Sequence, residues 1–190
     1  MKTIKIVPYD PFWPEMFLQE KRRIEDCLAG QSVTAIHHIG STAIPAMPAK
    51  PVIDILISVP SFERARRNLP DHLNMIGYDF WHDNPKSDHL FFVKGLPPRG
   101  KDRTHHVHVY QHPEAIREHL AFRDHLRENR DDANQYALLK RKLAAQFADD
   151  REAYTEAKTG FVRDILAKNS SLKSMRTDLT TAGRSRPRAR

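Results

Sequence analysis

Apolar residues crowd most densely between Val52 and Val59, where VIDILISV runs almost unbroken. A run of that length, bounded by Pro51 and Pro60, predicts a strand covered on both faces. Upstream, Val33 to Ile39 is short, apolar and partly β-branched and predicts a second strand. Gly40-Ser41-Thr42 separates the two, and Pro45, Pro48 and Pro51 keep the connection out of helix or sheet. Alternation over Lys2–Val7 predicts a short edge strand, and Tyr78–Trp81, Leu90–Val93 and Thr104–Tyr110 predict three more. The turns HDNPKSD and GLPPRGKD separate these last three.

Helical spacing alternates with this strand pattern. Phe12, Trp13, Phe17, Ile24 and Leu28 form one apolar side, opposite Glu15, Glu20, Lys21, Arg22 and Arg23; Asp10 can cap this helix and Gly30 ends it. Ser61 is a good cap for a second helix, with a break expected near Pro70 and a stop at Gly77. After Pro113 the character changes. Glu114–Glu128, Asp132–Ala148 and Arg151–Ala167 read as three helical blocks, with Asp131 and Asp150 as caps. No internal repeat is present. A strand-rich half followed by a helical half predicts one α+β domain over residues 1–167.

Composition sharpens this in two places. The net charge of +7 is uneven, because residues 168–190 carry seven cations and only Asp178 as an acid. The domain itself is therefore almost neutral. The tail, rich in Ser, Thr and Arg, is expected to be disordered and to touch nucleic acid weakly at most. Mean hydropathy is −0.64, no apolar run approaches a membrane span, and no secretory signal is visible. The single cysteine, Cys27, excludes an intramolecular disulfide and fits a reducing, cytoplasmic setting.

The candidate chemistry gathers around one acid. Asp54 interrupts VIDILISV, and a buried carboxylate costs several kcal/mol unless it is paired or holds a metal. The loop before it, with Gly40 and the hydroxyls of Ser41 and Thr42, has the small residues that let an anion approach the backbone. On the strand HHVHVY, His106 and His108 share a face, and two imidazoles on one face can bind metal or phosphate or move protons. The bland alternative is a hydrogen-bonded Asp54–His pair without metal. With His38, these residues define a predicted metal site of Asp54, His106, His108 and His38; carboxylate plus imidazole suits a transition metal better than Mg²⁺. Asp54, His106 and His108 are also the predicted catalytic residues. Lys50, Arg123, Lys140 and the pair Tyr154 and Lys158, four apart on one helix face, are the cations and aromatic expected around a phosphorylated ligand. A solvated helix surface is the plainer alternative for those at helical spacing.

Taken together, HHIGSTAIPAMPAKPVIDILISV, HHVHVY, HLAFRDHL, the segment Tyr136 to Lys140, and Tyr154 with Lys158 and Phe161 resemble the GrpB family, as does the opening IVPYDPFWPEMF. The resemblance covers about residues 3–167. It implies a nucleotidyltransferase-like mixed sheet of the polymerase-beta type, with flanking helices and a C-terminal helical block. It also implies that Gly40 and Ser41 hold nucleotide phosphates and that Asp54 ligates a divalent metal, with a nucleoside triphosphate as substrate. The nucleotidyltransferase superfamily pattern expects a second acid at position 56, where this chain has Leu56, and a third carboxylate where it has His106 and His108. The function this implies is binding of a nucleotide or other phosphorylated small molecule, with nucleotidyl transfer as its active form. The alternatives are a binding module without transfer chemistry, a His-dependent phosphohydrolase (HVHVYQH approximates a histidine triad but has Tyr110 at the third position), and RNA binding through the tail. Domains of this kind fused to dephospho-CoA kinase point the same way, toward nucleotide or coenzyme chemistry.

Overall fold

The apolar run that dominates the sequence becomes the middle of a five-stranded sheet. In the computed structural model, which describes residues 3–82 and 88–169, the strands are β1 (Ala35–Ile39), β2 (Ile53–Ser58), β3 (Tyr78–Phe80), β4 (Leu90–Lys94) and β5 (His105–Tyr110). Their order across the sheet is β1-β2-β5-β4-β3. β2 runs parallel to β5, and the other three pairings are antiparallel. Flanking neighbours on both edges and helices on both faces explain why β2 is apolar apart from Asp54 and Ser58: Ile53, Ile55, Leu56 and Ile57 are all buried.

Helices α1 (Trp13–Cys27) and α2 (Phe62–Met75) cover one face. There Trp13, Phe17, Ile24, Leu69 and Leu73 pack on Ile53, Ile55, Ile57, Val107, Val109 and Phe92 in the main core. Helix α3 (Pro113–Glu128) covers part of the other face, where Leu56, Ile39 and Tyr110 meet Ala115, Ile116 and Leu120. Helix α4 (Arg130–Gln146) packs with α3 against the loop after β1, burying Ile44, Met47, Leu126, Tyr136 and Ala137 together. Helix α5 (Arg151–Glu156) and a last helix over 159–169 close the block; Tyr154 joins Leu143 and Ile4 in a third apolar cluster.

Several expectations change in the tertiary setting. The described part of the expected strand Lys2–Val7, residues 3–7, does not form one. Val7 makes an isolated bridge to Ala49, and the Ile4 amide bonds the Ala148 carbonyl instead. Helix α2 does not break at Pro70 but runs on to Met75, because Leu69 and Leu73 on either side of the proline are locked in the core. Ser61 caps it as expected, accepting from the Arg64 amide. Asp131 is not a cap: Asn129 takes that position, and Asp131 lies in the first turn of α4. Asp150 does cap α5, accepting from the amides of Glu152 and Ala153. The third expected block is interrupted at 157–158, just before Gly160. The expected tail beyond residue 169 and the turn at 83–87 lie outside the described residues.

Candidate functional site

Register decides what the sheet presents. Asp54 pairs with His106, and Leu56 pairs with His108, so all four side chains emerge on the α3 face. Ile53, Ile55, His105 and Val107 emerge on the other. Asp54 therefore points toward the two imidazoles: His106 Nδ1 lies 3.0 Å and His108 Nε2 3.7 Å from Asp54 Oδ1. One ligand atom from each of the three residues falls within 4.8 Å of the others. Burial resists ionisation of Asp54, but the hydrogen bond from His106 Nδ1 and the two imidazoles beside it outweigh burial and hold the carboxyl well below the usual range. His106 Nδ1 is the ring atom turned to Asp54, while its Nε2 is buried without a hydrogen-bond partner.

The Gly-Ser loop is wrapped over this carboxylate. Gly40 has φ +69, and a Cβ there would lie 2.4 Å from Asp54 Oδ2. Only glycine permits both the left-handed turn and the close approach. Ser41, Thr42 and Ala43 form one turn of 3-10 helix. Ser41 lies beside the Tyr136 side chain. Thr42 is spent internally: its hydroxyl meets His38 Nε2 at 3.0 Å and donates to the Val52 carbonyl.

Beside the loop lies a group of cations. Lys50 and Lys158 face the Tyr154 ring at 5.1 and 4.2 Å from its centroid. Lys140 lies 4.9 Å from the Tyr136 ring centre and donates to the Pro48 carbonyl. Lys140 is 2% exposed, and burial together with Lys158, Arg141 and Lys50 lowers its pKa to about 7. Lys50 is lowered mainly by burial, with Asp54 opposing the shift and Arg151 and Arg103 adding to it. Arg103 is lowered by burial and by Arg151, and it stacks on Trp81 at 5.0 Å. Among the described residues no carboxylate lies within ion-pair distance of Lys50, Arg103 or Lys140. Lys50, Arg103 and Lys140 thus leave positive charge that Asp54 alone opposes, and an anion bound there would relieve it.

The structure thus brings together Gly40, Ser41, Lys50, Asp54, His106, His108, Lys140, Tyr154 and Lys158 from the residues singled out in the sequence. It does not bring three others. His38 pairs with Ile55 and so faces away from Asp54, stacked on Phe17 at 4.7 Å; burial lowers its pKa to about 4. As an expected metal ligand it is corrected to a core histidine. Arg123 donates to the His38 carbonyl and to its neighbour Asp124, clamping the edge strand. Thr42 is consumed as described. Conversely, the sequence hid residues that crowd His108. His89 Nε2 lies 3.3 Å from His108 Nδ1, and His119 lies 6.5 Å away between ring centres with its Nε2 on the Tyr110 hydroxyl. His119 is lowered to about 4 by burial, then by His108 and His89. Neither lies in a pattern that names it: His89 precedes its strand and His119 stands alone on a helix.

Comparison with known proteins gives a consistent answer. The family model described as "GrpB protein" matches residues 3–168. The UPF0157 protein PA4798 of Pseudomonas aeruginosa is 46% identical over 165 residues, covering 87% of this chain and 67% of that one. The UPF0157 protein YqkA of Bacillus subtilis is 40% identical over 163 residues, covering 85% of this chain but 46% of that protein. A crystal structure of the conserved protein GrpB from Enterococcus faecalis superimposes with a TM-score of 0.76 at 34% identity, covering 87% of this chain and 96% of that one. A family model spanning nearly all of the described chain, together with a solved member of the same architecture, establishes that this protein belongs to the GrpB family.

Proposed function

We propose that the protein binds a phosphorylated small molecule of the nucleotide class beside a single transition-metal ion. The observation that carries this reading is one juxtaposition. A carboxylate flanked by two imidazoles lies under a glycine loop, next to Lys50 and Lys140, for which no ion pair is found among the described residues. Asp54, His106 and His108 would hold the metal, and one carboxylate with two imidazoles fits zinc, manganese or iron. When bound, such an ion supplies Lewis acidity toward a phosphoryl oxygen. Lys50, Lys140 and Lys158 take the remaining charge of the phosphate, and the Ser41 turn brings backbone close to it.

A kinship with nucleotidyltransferases belongs to the same reading. The positions that this superfamily fills with acids correspond here to Asp54, Leu56 and the histidines of β5, which are cross-strand neighbours. Leu56 is fully buried among Ile39, Tyr110, Ile116 and Leu120, so no second hard cation fits at its place. Nucleotidyl transfer here would therefore run with one metal.

The test is metal titration of chelator-stripped protein by calorimetry, with inorganic pyrophosphate as the anion probe. One zinc or manganese per chain should bind, and Asp54→Ala should abolish it. Pyrophosphate should raise the thermal midpoint, and Lys140→Met should remove that rise while leaving the metal bound. At 100 times Kd the stabilisation is about 2.7 kcal/mol. Absence of both metal and pyrophosphate binding overturns the proposal.

A further inference from the structure

The hydrogen-bond chain behind His108 has a direction. Asp88 Oδ1 lies 2.7 Å from His89 Nδ1, and His89 Nε2 lies 3.3 Å from His108 Nδ1. The His89 ring is buried and stacked on Tyr110 at 4.7 Å, with 21° between the planes, so it is held in place. A carboxylate accepts only, so His89 Nδ1 carries the hydrogen and donates it to Asp88. With its single hydrogen on Nδ1, as above the imidazole titration range, the His89 ring presents a lone pair at Nε2, and His108 Nδ1 carries the hydrogen that fills it. This leaves His108 Nε2 as a bare lone pair, and that atom faces Asp54 Oδ1 at 3.7 Å. Two acceptors turned toward each other call for a cation between them.

We infer that Asp88 and His89 are positioning residues that set the tautomer of His108, leaving its Nε2 lone pair aimed at Asp54 and open to a metal ion. The inference rests on the metal reading above for its purpose, but the tautomer itself does not. Without His89, His108 would move its hydrogen to Nε2 and donate to Asp54, closing the pair on itself. Carboxylate–histidine–ligand chains of this kind raise metal affinity by 10- to 100-fold in other metalloproteins. Here the chain passes through a second imidazole before it reaches the surface, where Asp88 keeps 63% of its side-chain exposure.

The experiment combines NMR of the metal-free protein with zinc competition. Ring ¹⁵N shifts, recorded above the imidazole titration range, report which nitrogen of each histidine holds the hydrogen. Wild type should show His108 with Nδ1–H. His89→Phe fills the same space without an acceptor, and should move the hydrogen of His108 to Nε2 and weaken zinc binding by ~10- to 100-fold. His89→Gln, whose amide oxygen can accept from His108, should restore Nδ1–H and zinc affinity. Exposed Asp88→Asn should produce a mixture of His108 tautomers without unfolding, which covers the case in which His89→Phe fails to fold. His108 with Nε2–H in the wild type overturns the inference, as does unchanged zinc affinity in a folded His89→Phe. If no zinc binds at all, the metal reading falls while the tautomer measurement still decides the role of His89.

Discussion

Gly40 and Lys140 are the residues at which physical constraint is most concentrated. Gly40 combines φ +69 with a backbone laid against Asp54 Oδ2. Gly40→Ala should therefore cost more than the ~1 kcal/mol of an ordinary left-handed alanine, because the new methyl must push Asp54 off the histidines. Chemical denaturation should show the loss, and zinc binding should weaken in the same variant. Lys140 carries a pH signature. Its pKa is lowered to about 7 in the fold, against an ordinary value near 10.5. Between those values the unfolded chain binds a proton that the folded chain does not, so this residue makes stability rise with pH, by up to roughly 1.4 kcal/mol per unit. Below about pH 7 both states are protonated and the slope vanishes. Comparing denaturant midpoints of wild type and Lys140→Met between pH 7 and 10 checks this: the stability of wild type relative to the variant should rise with pH, and a constant difference would contradict it.

The parallel pair of β2 and β5 is the element that makes the site, since its register alone puts Asp54 beside His106 and Leu56 beside His108. On the opposite face the same pair is plain core, apart from His105 and the Lys94–Glu20 ion pair, 2.6 Å long, between β4 and α1. Helix α2 supports that core in spite of Pro70, which removes one backbone hydrogen bond from its interior. Pro70→Ala should therefore stabilise the protein by about 1–3 kcal/mol, read as a raised denaturant midpoint with unchanged slope. A destabilised Pro70→Ala would mean that the proline ring itself fills core space.

The whole molecule is organised so that the helical block grips the loop over Asp54. Three cations reach across from α3 and α4 to backbone carbonyls. Arg123 bonds His38 at 2.9 Å, Arg127 bonds Ala43 at 2.9 Å, and Lys140 bonds Pro48. Hydrogen bonds to charged groups contribute about 1.5–3 kcal/mol each. Arg127→Met should therefore leave the sheet protected while amides at 41–47 exchange faster with solvent, and the pyrophosphate-induced stabilisation should fall in parallel. Uniform loss of protection across the sheet would instead mean that loop and core open as one unit. No helix among the described residues is long and apolar enough to cross a membrane.

Much of this was legible in the chain itself, because local physics wrote it there. The buried β2, the glycine turn, the Ser61 and Asp150 caps and the shared face of His106 and His108 follow from periodicity, from backbone freedom and from the side-chain donors available at helix ends. Asp54 stood out because a charge inside an apolar run needs a partner. What periodicity cannot supply is the match between strands far apart in sequence. Whether His38 meets Asp54 depends on strand register, and the antiparallel pairing of β1 with β2 turns it to the opposite face against Phe17. Arg123 has the spacing of a ligand-binding cation, yet it is drawn to a strand carbonyl that only the packing of α3 brings within reach. His89 and His119 carry no local signal at all. They join His108 because β4 lies beside β5 and α3 folds back over the sheet, and such long-range placement is decided by the packing of the whole core rather than by any segment within it.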